Sequence, residues 1–196
     1  MDPEHVRTVV LAAGSSERMG WNKLAAPFCG VPLARRVVEA LAGLRPLVVA
    51  GPEAAAVLAG LEGVTLLVTE PTAGPSVSLA LADRALPADQ ALAVVPCDLP
   101  FLDAAAVRAF VSRVPAGADL AFPAVAGTPG HPVVWSPAAR TRIAGLAPGQ
   151  APMSLRSDPA LRVIALVETD DAYIVDVDTP AAWATAEQQA LRRLRS

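Results

Sequence analysis

The sequence predicts an α/β protein with a mostly parallel sheet flanked by helices, and two observations carry that expectation. Short apolar runs rich in Val and Leu alternate with longer Ala/Leu/Arg segments of helical period. Hydrophobic residues make up 53% of the 196 residues and charged residues 18%, which supplies a sizeable core and too little charge for a disordered chain. By the usual size of roughly 100–200 residues per domain, residues 1–196 form a single domain.

Along the chain, residues 8–13 (Thr-Val-Val-Leu-Ala-Ala) predict a buried first strand, and residues 33–43 predict a helix that stops at Gly43. A strand over 47–50, a helix over 53–60 ending at Gly60 and a strand over 64–68 follow. The next helix, over 76–86, takes Ser76 as its N-cap. After a strand over 92–95, Asp103 caps a helix over 104–114. Strands over 120–123 and 133–135, a helix over 137–144 and strands over 162–167 and 173–175 lead to a closing helix over 180–194. Pro180 suits the first turn of that helix, and the arginines at 192, 193 and 195 complement its C-terminal dipole.

Sixteen Lys+Arg against nineteen Asp+Glu give a net charge of −3, which excludes the dense basic surface of a nucleic-acid binder. Cys29 and Cys97 are too few for a disulfide framework or a four-ligand zinc site and predict a reduced, cytoplasmic chain. Residues 120–139 carry no Asp, Glu, Lys or Arg, yet Pro123, Pro129, Pro132, Pro137 and His131 argue against a membrane span. The acidic start, Met1-Asp2-Pro3-Glu4-His5, predicts no export signal.

Fifteen of the sixteen basic residues are arginine, so the single lysine, Lys23, marks a position that wants a compact ammonium. It closes a strand-to-loop run, Leu11-Ala12-Ala13-Gly14-Ser15-Ser16-Glu17-Arg18-Met19-Gly20-Trp21-Asn22-Lys23. Gly and Ser let the backbone approach a polyphosphate and aim N–H groups at it, and Arg18 and Lys23 can neutralise its charge. The run fits neither the Gly-x-Gly-x-x-Gly nor the Walker A pattern. Asp98 follows an apolar strand, at the strand end where open α/β sheets bind ligands. The second acidic element, Asp176-Val177-Asp178-Thr179-Pro180, lies between a short strand and a helix. Two such carboxylate sites suit Mg²⁺ held together with phosphate oxygens.

These motifs resemble, in order, those of the MobA-like nucleotidyltransferases and are most similar to the molybdenum cofactor cytidylyltransferases among them. The matching residues are the 11–23 run, Pro27, Gly30-Val31-Pro32-Leu33, Ser76-Val77-Ser78-Leu79, Pro96-Cys97-Asp98-Leu99-Pro100, Gly130-His131-Pro132 and 176–180. The resemblance implies a Rossmann-like nucleotide-diphospho-sugar transferase fold and a Mg²⁺-dependent transfer of a nucleoside monophosphate, with Mn²⁺ as an allowed substitute. It implies Arg18, Lys23 and Asp98 as catalytic residues. Leu11, Ala12, Ala13, Gly14, Ser15, Arg18, Lys23, Ser78, Pro96 and Asp98 would border the nucleotide. Asp98 would ligate the metal with either Asp176 or Asp178. The expected substrates are CTP and the phosphate of molybdopterin, and the expected protein partner is a molybdoenzyme or its chaperone; the alternatives are guanylyl or other nucleotidyl transfer to a sugar phosphate or other small phosphate ester, and a non-catalytic nucleotide-binding protein or cofactor chaperone.

Ala13, where guanylyl-transferring relatives usually carry a second glycine, and Gly130-His131-Pro132 favour the cytidylyl branch and CTP. Ser78-Leu79-Ala80 lacks the arginine that many cytidylyl members carry there. Residues 146–152 depart from the Gly-Asp-x-Gly segment of cofactor-transferring relatives, and no acid stands between Asp119 and Asp158. Several residues have plainer readings. His131 reads either as facing the substrate or as a structural or solvent histidine, Cys97 and Cys29 read as small hydrophobes, and Trp135 and Trp183 as packing residues. Trp21 either stacks on a ligand or covers its loop. Glu70 reads as a solvated loop acid and Asp170-Asp171 as a turn.

Overall fold

The computed structural model describes residues 1–14, 19–70, 74–147 and 150–193. In chain order these form β1 (Val6–Ala12), β2 (Pro27–Phe28), β3 (Val31–Pro32), α1 (Leu33–Leu41), β4 (Leu47–Ala50), α2 (Pro52–Leu58), β5 (Thr65–Val68) and α3 (Gly74–Arg84). The second half supplies β6 (Ala91–Pro96), α4 (Ala104–Arg113), β7 (Leu120–Val125), β8 (Thr128–Pro129), β9 (Val133–Trp135), α5 (Pro137–Arg140), β10 (Val163–Glu168) and α6 (Pro180–Arg193). Eight strands make the main sheet, in the order β10-β7-β9-β6-β1-β4-β5 with β8 beside β7. The pairs β1/β4, β1/β6, β4/β5 and β7/β10 are parallel, and β9 runs antiparallel between β6 and β7. This is the mixed, mostly parallel α/β architecture that the residue pattern predicts.

Strand alternation sorts the core into two layers. Val10, Ala12, Val48, Ala50, Ala93 and Val95 face α1, α2, α4 and α6, whereas Val9, Leu47, Val49, Leu92, Val94, Leu120 and Phe122 face α3 and α5. Both faces are covered, so β4 and β6 read as continuous apolar runs rather than alternating ones. Because β4 and β6 lie on opposite sides of β1, the chain crosses over in both directions from that strand. A crevice therefore opens at the carboxyl ends of β1 and β6. Among the described residues, no helix is long and apolar enough to cross a membrane.

Four local expectations change. The segment around Tyr173 is not a strand: Asp171–Tyr173 forms a 3-10 turn, started by Asp170, whose carboxylate accepts from Ala172 N at 2.9 Å. Ser76 does not cap α3, which begins earlier, at Gly74-Pro75; its hydroxyl instead points to the Ala147 carbonyl at 3.5 Å. α1 ends at Leu41 and continues as a 3-10 turn, Ala42–Leu44, so that Arg45 rather than Gly43 adopts the left-handed backbone. The helix expected over 137–144 is α5 followed by a separate 3-10 turn, Ile143–Gly145. Asp103 does cap α4, accepting from Ala106 N at 2.8 Å.

The Tyr173 segment packs against Gly130 at a distance only glycine permits. His131 N donates to Tyr173 O at 2.9 Å, and Gly130 N donates to Pro123 O at 2.8 Å. A Cβ at position 130 would overlap the Tyr173 carbonyl oxygen and come within 2.8 Å of Ile174 Cγ2. Gly130→Ala is accordingly expected to destabilise the fold by about 1–3 kcal/mol, because backbone rather than a flexible side-chain tip must yield. A urea midpoint equal to that of the parent protein would refute this.

Candidate active site

Two acidic motifs, with Asp98 and Asp176 78 positions apart in the chain, meet above the sheet because the backbone ties them. Cys97 N donates to Leu11 O at 3.0 Å, extending the β1/β6 ladder one step and fixing Asp98 just beyond it. Val177 N then donates to Asp98 O at 3.2 Å, which brings Asp176 and Asp178 alongside. Thr179 Oγ1 accepts from Ala182 N at 3.1 Å and so caps α6, holding Asp178 immediately before the helix.

Lys23 reaches the same point from the first loop. Asn22 Oδ1 accepts from Leu24 N at 3.0 Å and Ala25 N at 3.3 Å, an Asx turn that sets the direction of Lys23. Buried Met19 and Leu24 flank it. Lys23 Nζ, on a buried side chain, donates to Asp98 Oδ2 at 2.7 Å and to Asp178 Oδ1. Burial works against the ammonium, but the Asp98 and Asp178 carboxylates outweigh it and raise the lysine above its ordinary value. The group is therefore a fixed positive charge at neutral pH.

These residues border a cleft of about 580 Å³. Leu11, Ala13, Gly14, Lys23, Ser78, Pro96, Asp98 and Asp178 line it, as do Met19, Leu24, Gly74, Pro75 and Cys97. Ala12 does not. Alternation along β1 turns it into the core, where it is 2% exposed, while its carbonyl accepts from Gly51 N at 3.2 Å. Asp176 lines a neighbouring hollow that shares Pro96 and Asp98 with the cleft. Ser15 and Arg18 lie outside the described residues. The Gly74-Pro75 start of α3 was not singled out in the sequence; the pair itself, a positive-φ glycine before a first-turn proline, was the available signal.

The donor set fits a hard divalent cation. Asp98 and Asp178 present carboxylate oxygens to one cleft, and among the described residues no group of three or more His, Cys, Asp or Glu gathers to enclose an ion. A Mg²⁺ or Mn²⁺ ion there would complete its shell with water and substrate phosphates, as Mg²⁺ usually does. Trp21 packs edge-on against Trp183, with ring centroids 4.8 Å apart, and remains 41% exposed. Cys97 is buried, and burial pushes its thiol far above the ordinary range, so it is inert.

The family model described as the MobA-like NTP transferase domain matches residues 8–163, from the first strand to the last. The chain belongs to the MobA-like NTP transferase family. Like its family and structural neighbours, this MobA-like protein is a nucleotidyltransferase. It is similar to a homologue of Mycobacterium tuberculosis Rv0371c from Mycobacterium sp. strain JC1, at 27% identity and a TM-score of 0.81, covering 96% of this chain and 98% of that one. Rv0371c of M. tuberculosis H37Rv, solved in complex with manganese, shares the fold at 22% identity and a TM-score of 0.77, with coverage of 93% and 98%. The fold is also that of CMP:2-keto-3-deoxy-manno-octonic acid synthetase complexed with CTP, at 14% identity and a TM-score of 0.76, with coverage of 96% and 99%. No curated protein sequence matches the MobA-like chain.

Proposed function

We propose that residues 1–196 act as one unit that transfers a cytidylyl group from CTP to a phosphomonoester acceptor of the molybdopterin class, releasing pyrophosphate. The observation that carries this reading is the convergence of Lys23, Asp98 and Asp178 on the cleft that Gly14 also lines. Asp98 and Asp178 would hold Mg²⁺ or Mn²⁺. The metal, when bound, supplies Lewis-acid neutralisation of the reacting phosphates. Manganese in the Rv0371c structure and CTP in the synthetase structure support the metal and the base, and Ala13 supports CTP over GTP.

The acceptor phosphate is already anionic, so its oxygen attacks the α-phosphorus without a general base. A new P–O bond forms, the α–β P–O bond breaks, and pyrophosphate leaves with the bonding pair. Lys23 and Arg18 neutralise charge on that leaving group, and Ala13, Gly14 and Ser78 position the nucleotide. The proposed use of CTP is in keeping with a cytoplasmic protein, and the proposed recipient of the product is a molybdoenzyme or its chaperone. A second acceptor class, sugar phosphates, is favoured by one observation: residues 146–152 carry no acid.

A thermal-shift panel with CTP, GTP, ATP and UTP, each with and without Mg²⁺, tests the nucleotide half. Stabilisation that is largest for CTP and requires Mg²⁺ is expected, because a ligand bound only to the native state raises stability by mass action. A preference for GTP would move the reading to guanylyl transfer, and release of pyrophosphate with sugar phosphates but not molybdopterin would move the acceptor.

A further inference from the structure

Lys23 and Asp178 come from opposite ends of the chain, and one side chain joins the segments that carry them. Trp183 lies one turn past the Thr179 cap of α6, and its backbone N donates to Thr179 O at 2.9 Å. Its ring meets Trp21 edge-on, with centroids 4.8 Å apart and planes at 81°, and meets Phe28 at 5.2 Å and 82°. Trp21 precedes Lys23 in its loop and Phe28 follows it in β2, so a single indole grips the segment on both sides of the lysine. One turn further along α6, Glu187 Oε1 accepts from Cys29 N at 2.8 Å. Together these contacts tie residues 21–29 to α6.

The grip is directional. An edge-to-face pair fixes the orientation of two rings as well as their separation, because the positive ring edge seeks the negative face. Phe28 and Trp183 belong to the core layer, whereas Trp21 is left half-exposed and keeps its place through the Trp183 edge. The same segment is anchored on its other side by backbone. Leu33 N donates to Ala26 O at 3.0 Å and Ala34 N to Leu24 O at 2.9 Å, which strings residues 24–26 to the start of α1. Lys23 therefore stands between a backbone anchor on α1 and an aromatic anchor on α6. Both of its carboxylate partners belong to the α6 side, since Asp178 directly precedes the Thr179 cap and Asp98 O accepts from Val177 N. Any shift of the loop against α6 moves the ammonium relative to both carboxylates.

We propose that Trp183 is a positioning residue for nucleotidyl transfer: clasped by Trp21 and Phe28, it sets the Lys23 loop against the start of α6, so that the ammonium and the two carboxylates stand in register before nucleotide arrives. Trp183 lies outside the cleft lining and acts through Lys23. A displacement of about 1 Å at a reacting group costs up to roughly 10²-fold in rate, so a remote strut of this kind is felt in the chemistry. The assignment rests on the nucleotidyl-transfer reading above.

Lys23 is the only lysine, so protein labelled with [¹³Cε]lysine gives one lysine methylene signal, and its NMR order parameter reads whether that side chain is held. A held methylene is expected in the parent. Trp183→Leu should loosen it and lower kcat roughly tenfold, with KM for the nucleotide changed by less than about twofold. Trp183→Phe, which keeps an aromatic edge, should retain most of both. Trp21→Ala removes the half-exposed partner at little cost to the core and should loosen Lys23 as well, with the double variant no worse than Trp183→Leu alone. Leu120→Ala, a truncation in the other core layer, should lower the urea midpoint and leave the order parameter and kcat at parental values. A parental order parameter in both Trp183→Leu and Trp21→Ala, or equal loosening in Leu120→Ala, overturns the proposal and leaves nucleotidyl transfer standing. No pyrophosphate release by the parent with any nucleotide and phosphomonoester overturns the transfer reading on which the proposal rests.

Discussion

Lys23→Met is expected to lower kcat/KM for nucleotidyl transfer by roughly 10²–10³-fold, the usual cost of removing one preorganised group that stabilises charge developing in a transition state. The loss should fall mainly on kcat, because charge grows on the leaving pyrophosphate only as the α–β bond breaks. Lys23 is suited to this role because Asp98 and Asp178 hold it in place before substrate arrives. The same contacts give it a stability signature. Its folded-state value is raised, so its contribution is fully present below the ordinary lysine value of 10.5 and is lost as pH climbs through the folded value. Lys23→Met should therefore be less stable than the parent at neutral pH, and the gap should narrow in strongly alkaline solution. Steady-state kinetics and denaturation at several pH values check both parts; a variant with parental kcat/KM would remove Lys23 from the reaction.

Arg140→Met is expected to cost about 3–5 kcal/mol of stability, the range for breaking a buried ion pair from one side. Arg140 is 4% exposed and stitches the end of α3 to the turn that follows. Its Nε donates to Asp83 Oδ1 at 2.6 Å, Nη1 to the carbonyls of Pro87 and Gln90, and Nη2 to those of Asp83 and Leu86. Methionine fills similar space but leaves the Asp83 carboxylate and four carbonyls without their donor. Equilibrium urea unfolding measures the loss. Adding Asp83→Ala to the variant should restore part of it, since the orphaned charge is then gone. A loss below about 1 kcal/mol would mean that water replaces the guanidinium without penalty.

Arg140 also shows where sequence reading ends. Nothing local distinguishes it from Arg142, two positions on, because its partners lie 50 to 57 residues away in chain. The same holds for Arg156, whose guanidinium lies over the ring of Phe122, a residue remote from it in the chain. By contrast, β4 and β6 were legible because burial on both faces demands an unbroken apolar run. The Tyr173 segment misled for the same reason: Tyr173-Ile174-Val175 has strand composition, but it docks as a 3-10 turn because Gly130 leaves room for its backbone.

The sequence by itself determined the α/β class, the order of the main strands and helices, and the three segments that meet at the site, since periodicity, caps and strand-end motifs are properties of contiguous residues. It left open which of Asp176 and Asp178 would ligate a metal. Tertiary structure separates their surroundings, through one backbone hydrogen bond from Val177 to Asp98 and the Thr179 cap on α6: Asp178 lines the cleft with Lys23, and Asp176 lines the neighbouring hollow. Two carboxylates two positions apart have the same local chemistry, and only the direction each side chain takes in the folded chain separates their surroundings.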